Sequence, residues 1–167
     1  MILDLIPDTD PKMKSVSEPF DFDNPQIDPK ELTQNLTDTM CANKGIGLAA
    51  IQAGIPLRVF IIGNPDDPES IMPIFNPKIV DFSEEQDYYE EGCLTFKGLW
   101  VKIKRPLGIR VRFKDVNGEA KTEKFSGLTA RIFQHEYDHL DGIVFKQRAN
   151  KIHLDRAMRQ AKKAKRK

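Results

Sequence analysis

The sequence predicts an α+β fold, in which antiparallel β-sheets pack around a central helix that carries an H-E-x-x-H motif. A further helix is expected in the N-terminal half and another at the C-terminus. Segments with strand character lie mostly in the middle of the chain, and helical patterns occur at intervals around them. Because most connections are short turns, antiparallel sheets are favoured over a doubly wound parallel sheet.

The composition is that of one globular domain. The chain has 167 residues, of which 40% are hydrophobic and 31% are charged, and this length can bury a single core. No apolar run approaches the roughly 18 residues of a membrane span, and the N-terminus lacks a secretory pattern. We therefore expect a cytoplasmic protein without membrane contact, with one domain over residues 1–152 and a basic helix or tail over residues 153–167. A monomer is expected as well.

Charge is segregated along the chain. Residues 146–167 contain ten Lys and Arg but only one acid, Asp155, and so carry a net charge of +9. Residues 1–145 contain sixteen basic and twenty-four acidic residues and carry a net charge of −8. A basic tail suits a polyanion such as RNA, although the same composition occurs in solvated ends that only aid solubility.

The N-terminal third is predicted to be an extended segment followed by a helix. The first 27 residues are rich in Pro and Asp, and Val16 and Phe20 are expected to anchor them on the body of the protein. Asp28 is a typical N-cap residue, and Pro29 follows it at the first helical position. Apolar residues then recur at four-residue spacing, which predicts one buried helical stripe that ends near residue 43.

Strands are predicted in the middle of the chain. LRVFIIG (57–63) is rich in β-branched and aromatic residues, and IFNPKIVDF (74–82) contains Pro77, which favours an edge strand or a bulge. LGIRVRF (107–113) alternates apolar and basic side chains, as a strand with one solvent-facing side does. The Asn117-Gly118 pair that follows is a strong signal for a β-hairpin.

A second helix is predicted from an N-cap near Ser126 to Gly142, and it contains the stretch QHEYDHLDG. His135 and His139 are four residues apart and therefore lie on one helix face, with Glu136 beside the first. Alone, H-E-x-x-H is a weak signal, since such histidines can also cap a helix, form hydrogen bonds or face solvent. A catalytic divalent ion usually takes three protein ligands, so the third one decides the kind of site.

The third ligand is expected upstream of the helix. The extended protease pattern H-x-x-G-x-x-H fails at Phe145, and no glutamate follows Glu136 in the chain. His153 lies among basic residues and is expected at the surface. Cys93, in YYEEGCLTF, is expected to be a reduced thiol, and a thiolate binds Zn(II) or Fe(II) strongly. An inert buried cysteine is the alternative, but two histidines without a third donor favour Cys93 as the ligand.

A Cys-His-His site leaves one position for water, as catalytic sites do. Glu136 is then placed to take a proton from that water and to deliver it to a leaving nitrogen. In GIGLAAIQ, Gly45 and Gly47 allow the backbone to approach a substrate closely, and Gln52 offers an amide donor for an oxyanion. A simple glycine turn is the alternative for this segment. Together these residues predict hydrolysis of an amide or related acyl bond.

Three segments, GIGLAAIQ (45–52), EGCLTF (91–96) and QHEYDHLDG (134–142), closely resemble those of peptide deformylases in order, spacing and sequence. The resemblance extends across most of residues 28–145. It implies a small α+β domain that removes the formyl group from the N-terminal methionine of nascent chains. It also implies one ferrous ion (Fe2+) as cofactor, which Zn2+, Ni2+ or Co2+ can replace.

The resemblance also implies roles for individual residues. Glu136 would be the general acid and base, Gln52 and the backbone N–H of Leu94 would polarise the formyl oxygen, and Gly47 would help to hold the substrate. The metal ligands would be Cys93, His135 and His139. The methionine pocket would be lined by Ile46, Tyr89, Leu128 and Ile132, and Gly45 would also bind the substrate. Many members have an arginine shortly after the cysteine motif, where this chain has Trp100.

Two other functions are compatible with the same residues. One is a metallopeptidase or other amidase that uses the same three ligands, and the other is a noncatalytic metal-binding or RNA-binding module.

Some deformylases dock on the ribosome through a basic C-terminal helix. The resemblance therefore implies nascent N-formylmethionyl peptides as substrates and ribosome docking through residues 153–167.

Overall fold

The computed structural model describes residues 1–166, over which it contains three α-helices and seven strands. The helices are α1 (Pro29–Ala42), α2 (Gly127–Leu140) and α3 (Lys151–Lys165). The strands are β1 (Gly47–Ala49), β2 (Val59–Ile62), β3 (Met72–Phe82), β4 (Gln86–Cys93), β5 (Phe96–Pro106), β6 (Gly108–Lys114) and β7 (Ala120–Ser126). These strands pair only in antiparallel fashion over the described residues, which confirms the predicted α+β class.

The strands form two sheets. Five of them form one sheet in the order β1-β2-β3-β6-β7, and β4 and β5 form a separate two-stranded ribbon. Successive residues of β2 pack into two different hydrophobic cores, because side chains along a strand alternate between the two faces of the sheet. Phe60 packs edge-to-face on Phe133 of α2, with ring centroids 5.0 Å apart, whereas Val59 packs with Leu32 and Leu36 of α1. The two helices thus cover opposite faces of the large sheet.

Helix α1 begins where the sequence predicts. The Asp28 carboxylate accepts hydrogen bonds from the backbone N–H groups of Lys30 and Glu31, each at 3.0 Å, and Pro29 occupies the first helical position. These bonds satisfy N–H groups that have no partner within the helix. The predicted stripe of apolar residues is fully buried.

The strand predictions near Pro77 and Asn117 are also confirmed. Strand β3 pairs with β2 on one side and β6 on the other, and its register with β6 shifts between Phe75 and Lys78. Pro77 therefore lies at a bulge in an interior strand rather than at an edge. The turn between β6 and β7 contains Gly118 at φ +79°, a left-handed conformation that glycine adopts without a steric cost.

Two local expectations need correction. Phe20 is buried against Phe75, but Val16 is 65% exposed and anchors nothing, and Met13 is buried in its place within a short 3₁₀ turn. Helix α3 begins at Lys151, earlier than expected, because the Asn150 side chain caps it by accepting from the N–H of His153.

None of the helices within residues 1–166 is both long and apolar enough to cross a membrane.

Candidate active site

Helix α2 and ribbon β4–β5 bring three potential metal ligands together. His135 and His139 lie on one face of α2, and Cys93 ends β4. A register shift between Glu91 and Cys93 marks a bulge just before the cysteine. The ligand atoms of Cys93, His135 and His139 all lie within 4.8 Å of one another. The structure therefore brings the three predicted ligands into one cluster.

The cluster fits a divalent metal ion. The Cys93 Sγ and the His139 Nε2 are 3.5 Å apart. With ordinary bond lengths, a tetrahedral site separates a sulfur and a nitrogen ligand by about 3.6 Å. Burial lowers the pKa of His139 well below its usual range, so its imidazole is neutral, which is the form that binds metal. A thiolate and two imidazoles are also the donors that zinc and ferrous ions accept.

His135 is oriented by Glu91. The His135 Nδ1 lies 3.0 Å from the Glu91 Oε1, so it carries the donated hydrogen and directs Nε2 toward the cluster. Burial alone would lower the pKa of His135, but hydrogen bonding to Cys93 and Glu91 raises it to about 10. A proton and a metal ion therefore compete for this ring, and metal affinity should rise with pH.

Glu91 belongs to a buried ionic network that the sequence did not reveal. Arg105 donates from Nε to Glu91 at 2.6 Å and from Nη1 to Asp138 at 3.0 Å, and Arg131 donates to Glu91 at 2.7 Å. Burial alone would raise the pKa of Glu91, but the bonds from His135 and Arg105 lower it to about 2. The network thus ties strands β4 and β5 to the helix that carries the histidines.

Glu136 is a buried carboxyl beside the ligand cluster. It is only 4% exposed, and its Oε2 has no hydrogen-bond partner within residues 1–166. Burial raises the pKa of Glu136 to about 7, which suits a group that accepts and returns a proton near neutral pH. A Cβ on Gly47 would lie 2.7 Å from Glu136 Oε1, so only glycine leaves room for this carboxyl.

Gln52 points its amide hydrogens at the cluster. Its Oε1 accepts the backbone N–H of Ala49 at 2.9 Å, which fixes which end of the amide faces the ligands. Its Nε2 then lies 3.5 Å from the Cys93 Sγ and 3.1 Å from the Thr95 Oγ1. Leu94, whose N–H is the other predicted donor, directly follows the cysteine, and a Cβ on Gly45 would lie 2.6 Å from its side chain.

A pocket of about 540 Å³ opens onto this cluster. Cys93, His135 and Glu136 form part of its lining, whereas Gln52 and His139 are buried and do not line it. The structure places in the pocket wall all five residues predicted to bind the substrate, namely Gly45, Ile46, Tyr89, Leu128 and Ile132. Trp100 also lines it and covers Gly92, since a Cβ there would lie 2.8 Å from the indole ring.

Other polar residues near the motif have different positions. Asp138, between the two histidines, is paired with Arg105 and Arg148. His153 was expected at the surface, but it is half-buried, and its ring contacts Tyr88 with centroids 5.2 Å apart. Helix α3 thus holds His153 against strand β4, away from the cluster of ligands.

The sequence of this chain is also clearly similar to those of known proteins. The family model for polypeptide deformylase matches residues 2–155. The chain belongs to the peptide deformylase family. A peptide deformylase from Bartonella tribocorum is 39% identical over 160 residues, which cover 92% of this chain and 88% of the relative. Family membership confirms the predicted family and does not favour the metallopeptidase or the noncatalytic alternative.

Solved deformylase structures share the whole fold. The enzyme from Plasmodium falciparum superposes with a TM-score of 0.89 at 28% identity, covering 98% of this chain and 95% of that one. A class I type b peptide deformylase from Acinetobacter baumannii, with Met-Ala-Ser bound, superposes with a TM-score of 0.81 at 31% identity, covering 89% and 98%. The similarity therefore includes both the large sheet and the ribbon that carries Cys93.

Proposed function

We propose that this chain hydrolyses the formyl amide of N-formylmethionyl nascent polypeptides and releases formate. The observation that carries the proposal is the position of Glu136, a buried carboxyl beside a Cys-His-His cluster at the base of a largely apolar pocket. A formyl group is small enough to reach such a buried cluster, while the methionine side chain occupies the pocket. Family membership supports the same activity.

We infer that one divalent ion, Fe2+ in its native form, is held by Cys93, His135 and His139. Zn2+, Ni2+ or Co2+ would be accepted by the same donors. When bound, such an ion supplies Lewis-acid chemistry, lowering the pKa of water and polarising a carbonyl group. The orientation of His135 by Glu91 prepares the ligand set for the ion.

The residues around the cluster would divide the work of amide hydrolysis. Glu136 takes the proton of the attacking water and returns it to the leaving methionine nitrogen, for which a pKa of about 7 is suited. The Gln52 Nε2 and the Leu94 backbone N–H donate to the formyl oxygen as negative charge develops on it. Gly47 leaves room for the Glu136 carboxyl and would help to hold the substrate.

The pocket wall would select methionine. Ile132 is half-buried at its base, while Ile46, Tyr89 and Leu128 are 46%, 60% and 55% exposed around its mouth. A long, flexible thioether can fill such an apolar pocket without a polar partner. Gly45 would contribute backbone to the same wall.

Formate release from formyl-Met-Ala-Ser by anaerobically purified, Fe2+-loaded protein tests the proposal. We expect formate from this peptide and no cleavage of unblocked Met-Ala-Ser. Cleavage of an internal bond in unblocked peptides would instead indicate a metallopeptidase. Tight metal binding without formate release from any formylated peptide would indicate a noncatalytic module.

We further propose that residues 1–152 form the catalytic domain and that residues 153–167 dock a monomeric, cytoplasmic enzyme on the ribosome. Helix α3 packs on the domain through Ala157, which is 5% exposed, while Arg156 and Lys163 on the same helix are exposed. The test is ribosome co-sedimentation of Arg156→Glu/Lys163→Glu protein, which keeps the packed face of α3. Unchanged co-sedimentation would contradict docking through this helix.

A further inference from the structure

A second cavity, of about 830 Å³, lies between residues 2–8, the turn after Cys93 and helix α3. We call it the lysine groove after the four lysines in its lining: Lys97, Lys146, Lys162 and Lys165. The groove and the active-site pocket share Asn43, Leu94 and Lys97 in their linings. A chain that leaves the pocket past Leu94 therefore passes directly into the groove.

The lysines of the groove are available to an anionic ligand. Within residues 1–166, the lysine ion pairs all belong to Lys121, so none of the groove lysines has a carboxylate partner. The Lys146 ammonium group is held 4.6 Å from the centre of the Phe96 ring. Two exposed acids, Asp4 and Asp8, also line the groove, but the four lysines outnumber them. The groove therefore favours a negatively charged occupant.

The groove also has an apolar floor. Met158 is 43% exposed and shares one helical stripe with Lys162 and Lys165, at i, i+4 and i+7. Phe96 and Leu99 line the floor on the side of the ribbon. Ammonium groups beside exposed apolar side chains match an extended peptide that carries both acidic and apolar residues. A phosphate backbone would use the charges but leave the apolar floor uncovered.

We propose that the lysine groove binds acidic segments of the nascent chain downstream of the formylmethionine held in the pocket. The inference rests on the proposed function, and it adds a substrate class: N-formylmethionyl chains with Asp or Glu beyond their first few residues are bound better than neutral or basic ones. The shared lining of the two cavities places such a segment in the groove while the formyl group lies at the Cys93 cluster. Exposed charge pairs of this kind lower KM rather than raise kcat.

The test compares formate release from formyl-Met-Ala-Ser with release from the same peptide extended by an acidic-apolar, a neutral or a basic segment. In the wild type we expect kcat/KM for the acidic peptide to exceed that for the neutral one by about fivefold at low salt, and the difference to shrink at high salt. In Lys162→Glu/Lys165→Glu protein the preference for the acidic peptide should be lost, with formyl-Met-Ala-Ser turned over as in the wild type.

Arg156→Glu/Lys163→Glu is the matched control. It makes the same change of charge on the same helix, but neither residue lines the groove, so the preference for acidic peptides should persist. An equal loss in both variants, or no preference in the wild type despite turnover of formyl-Met-Ala-Ser, would overturn the groove proposal alone. Inhibition by oligouridylate without any preference for acidic peptides would assign the groove to phosphate and also overturn it. Failure to turn over formyl-Met-Ala-Ser would refute the proposed function and this inference with it.

Discussion

The active site has two halves that are stabilised in opposite ways. On one side, His135, Glu136 and Glu91 are buried, and Glu91 connects His135 to a network of arginines and acids. On the other, the pocket mouth is formed by Ile46, Tyr89 and Leu128, each of which is roughly half exposed. The contrast shows that the groups proposed for chemistry are buried, with His135 fixed through Glu91, whereas those proposed for recognition are left open to the substrate.

Substitutions in the buried half are expected to be strongly destabilising. A charge taken out of water is costly, and removing one member of a buried ion pair leaves the other uncompensated, at a cost of about 3–5 kcal/mol. In this network the buried charges are paired, because Arg105 contacts both Glu91 and Asp138. These contacts hold β4, β5 and α2 in one arrangement. The open half has no comparable contacts, and substitutions there should cost far less.

The largest effect is expected at Glu136. Glu136→Gln keeps the size of the side chain but removes its ability to take a proton, so kcat should fall by about 10²–10⁴-fold. Metal content, measured by elemental analysis, should stay at the wild-type level because Glu136 is not one of the proposed ligands. A variant with nearly wild-type kcat would remove Glu136 from the reaction.

The next largest effect is expected at Glu91, which is not one of the proposed metal ligands but contacts one of them, His135. Glu91→Gln should weaken metal affinity by about 10–100-fold, because His135 loses the carboxylate that orients it. Thermal unfolding should also occur at a lower temperature, since Arg105 and Arg131 keep buried charges without their partner. The exposed neighbour Glu90 supplies the control, and Glu90→Gln should change neither property. Equal behaviour of the two variants would mean that the network does not position the site.

Acid should weaken the same network in the wild type. The pKa of Glu91 is about 2 in the folded protein against an ordinary value of 4.5, so its stabilisation is fully present above pH 4.5 and is lost as the pH falls toward 2. Chemical denaturation of metal-free protein across this range should show a decline in the free energy of unfolding that is smaller in Glu91→Gln. A decline of the same size in both proteins would contradict the assignment to Glu91.

A smaller effect is expected at Gly47. The Cβ of Gly47→Ala would lie 2.7 Å from Glu136 Oε1, so the carboxyl must move and kcat should fall by about tenfold. Gly108→Ala is a suitable comparison, because the nearest atom to its new Cβ is 3.6 Å away and no catalytic group is near. Similar kcat values for both variants would show that the position of Glu136 tolerates displacement.

The smallest effect is expected at the pocket mouth. Tyr89→Ala should raise KM for formyl-Met-Ala-Ser by a few-fold, with kcat nearly unchanged, because an exposed wall contributes binding but no chemistry. Tyr88 is the adjacent residue on β4 and does not line the pocket, so Tyr88→Ala should leave both constants unchanged. A drop in kcat at Tyr89 as large as that at Gly47 would erase the distinction between the two halves.

The same contrast explains what could be predicted from the sequence. The start of α1 and the face shared by His135 and His139 follow from spacing within one helix, and both predictions needed only local rules. Cys93 was reached because the histidines lacked a third donor. Ribbon β4–β5 was missed: QDYYEEGC is charged and largely exposed, although Leu99, Val101 and Ile103 alternate with polar or exposed residues in β5.

The buried network was missed for a different reason. Glu91, Arg105 and Asp138 are far apart in the sequence, and charged residues are normally expected at the surface. The sequence offered two signals for the network: Glu91, two residues before Cys93, and Asp138, between the two histidines. Neither identifies its arginine partner until the pairing of β4 with β5 is known.

The most direct test of the proposed site measures metal content and formate release together, in wild-type and Cys93→Ser protein purified anaerobically. We predict one divalent ion per chain and formate release from formyl-Met-Ala-Ser in the wild type, and a loss of both in the variant, because a hydroxyl is a poor substitute for a thiolate ligand. Full metal content and wild-type activity in Cys93→Ser protein would contradict a site built from Cys93, His135 and His139.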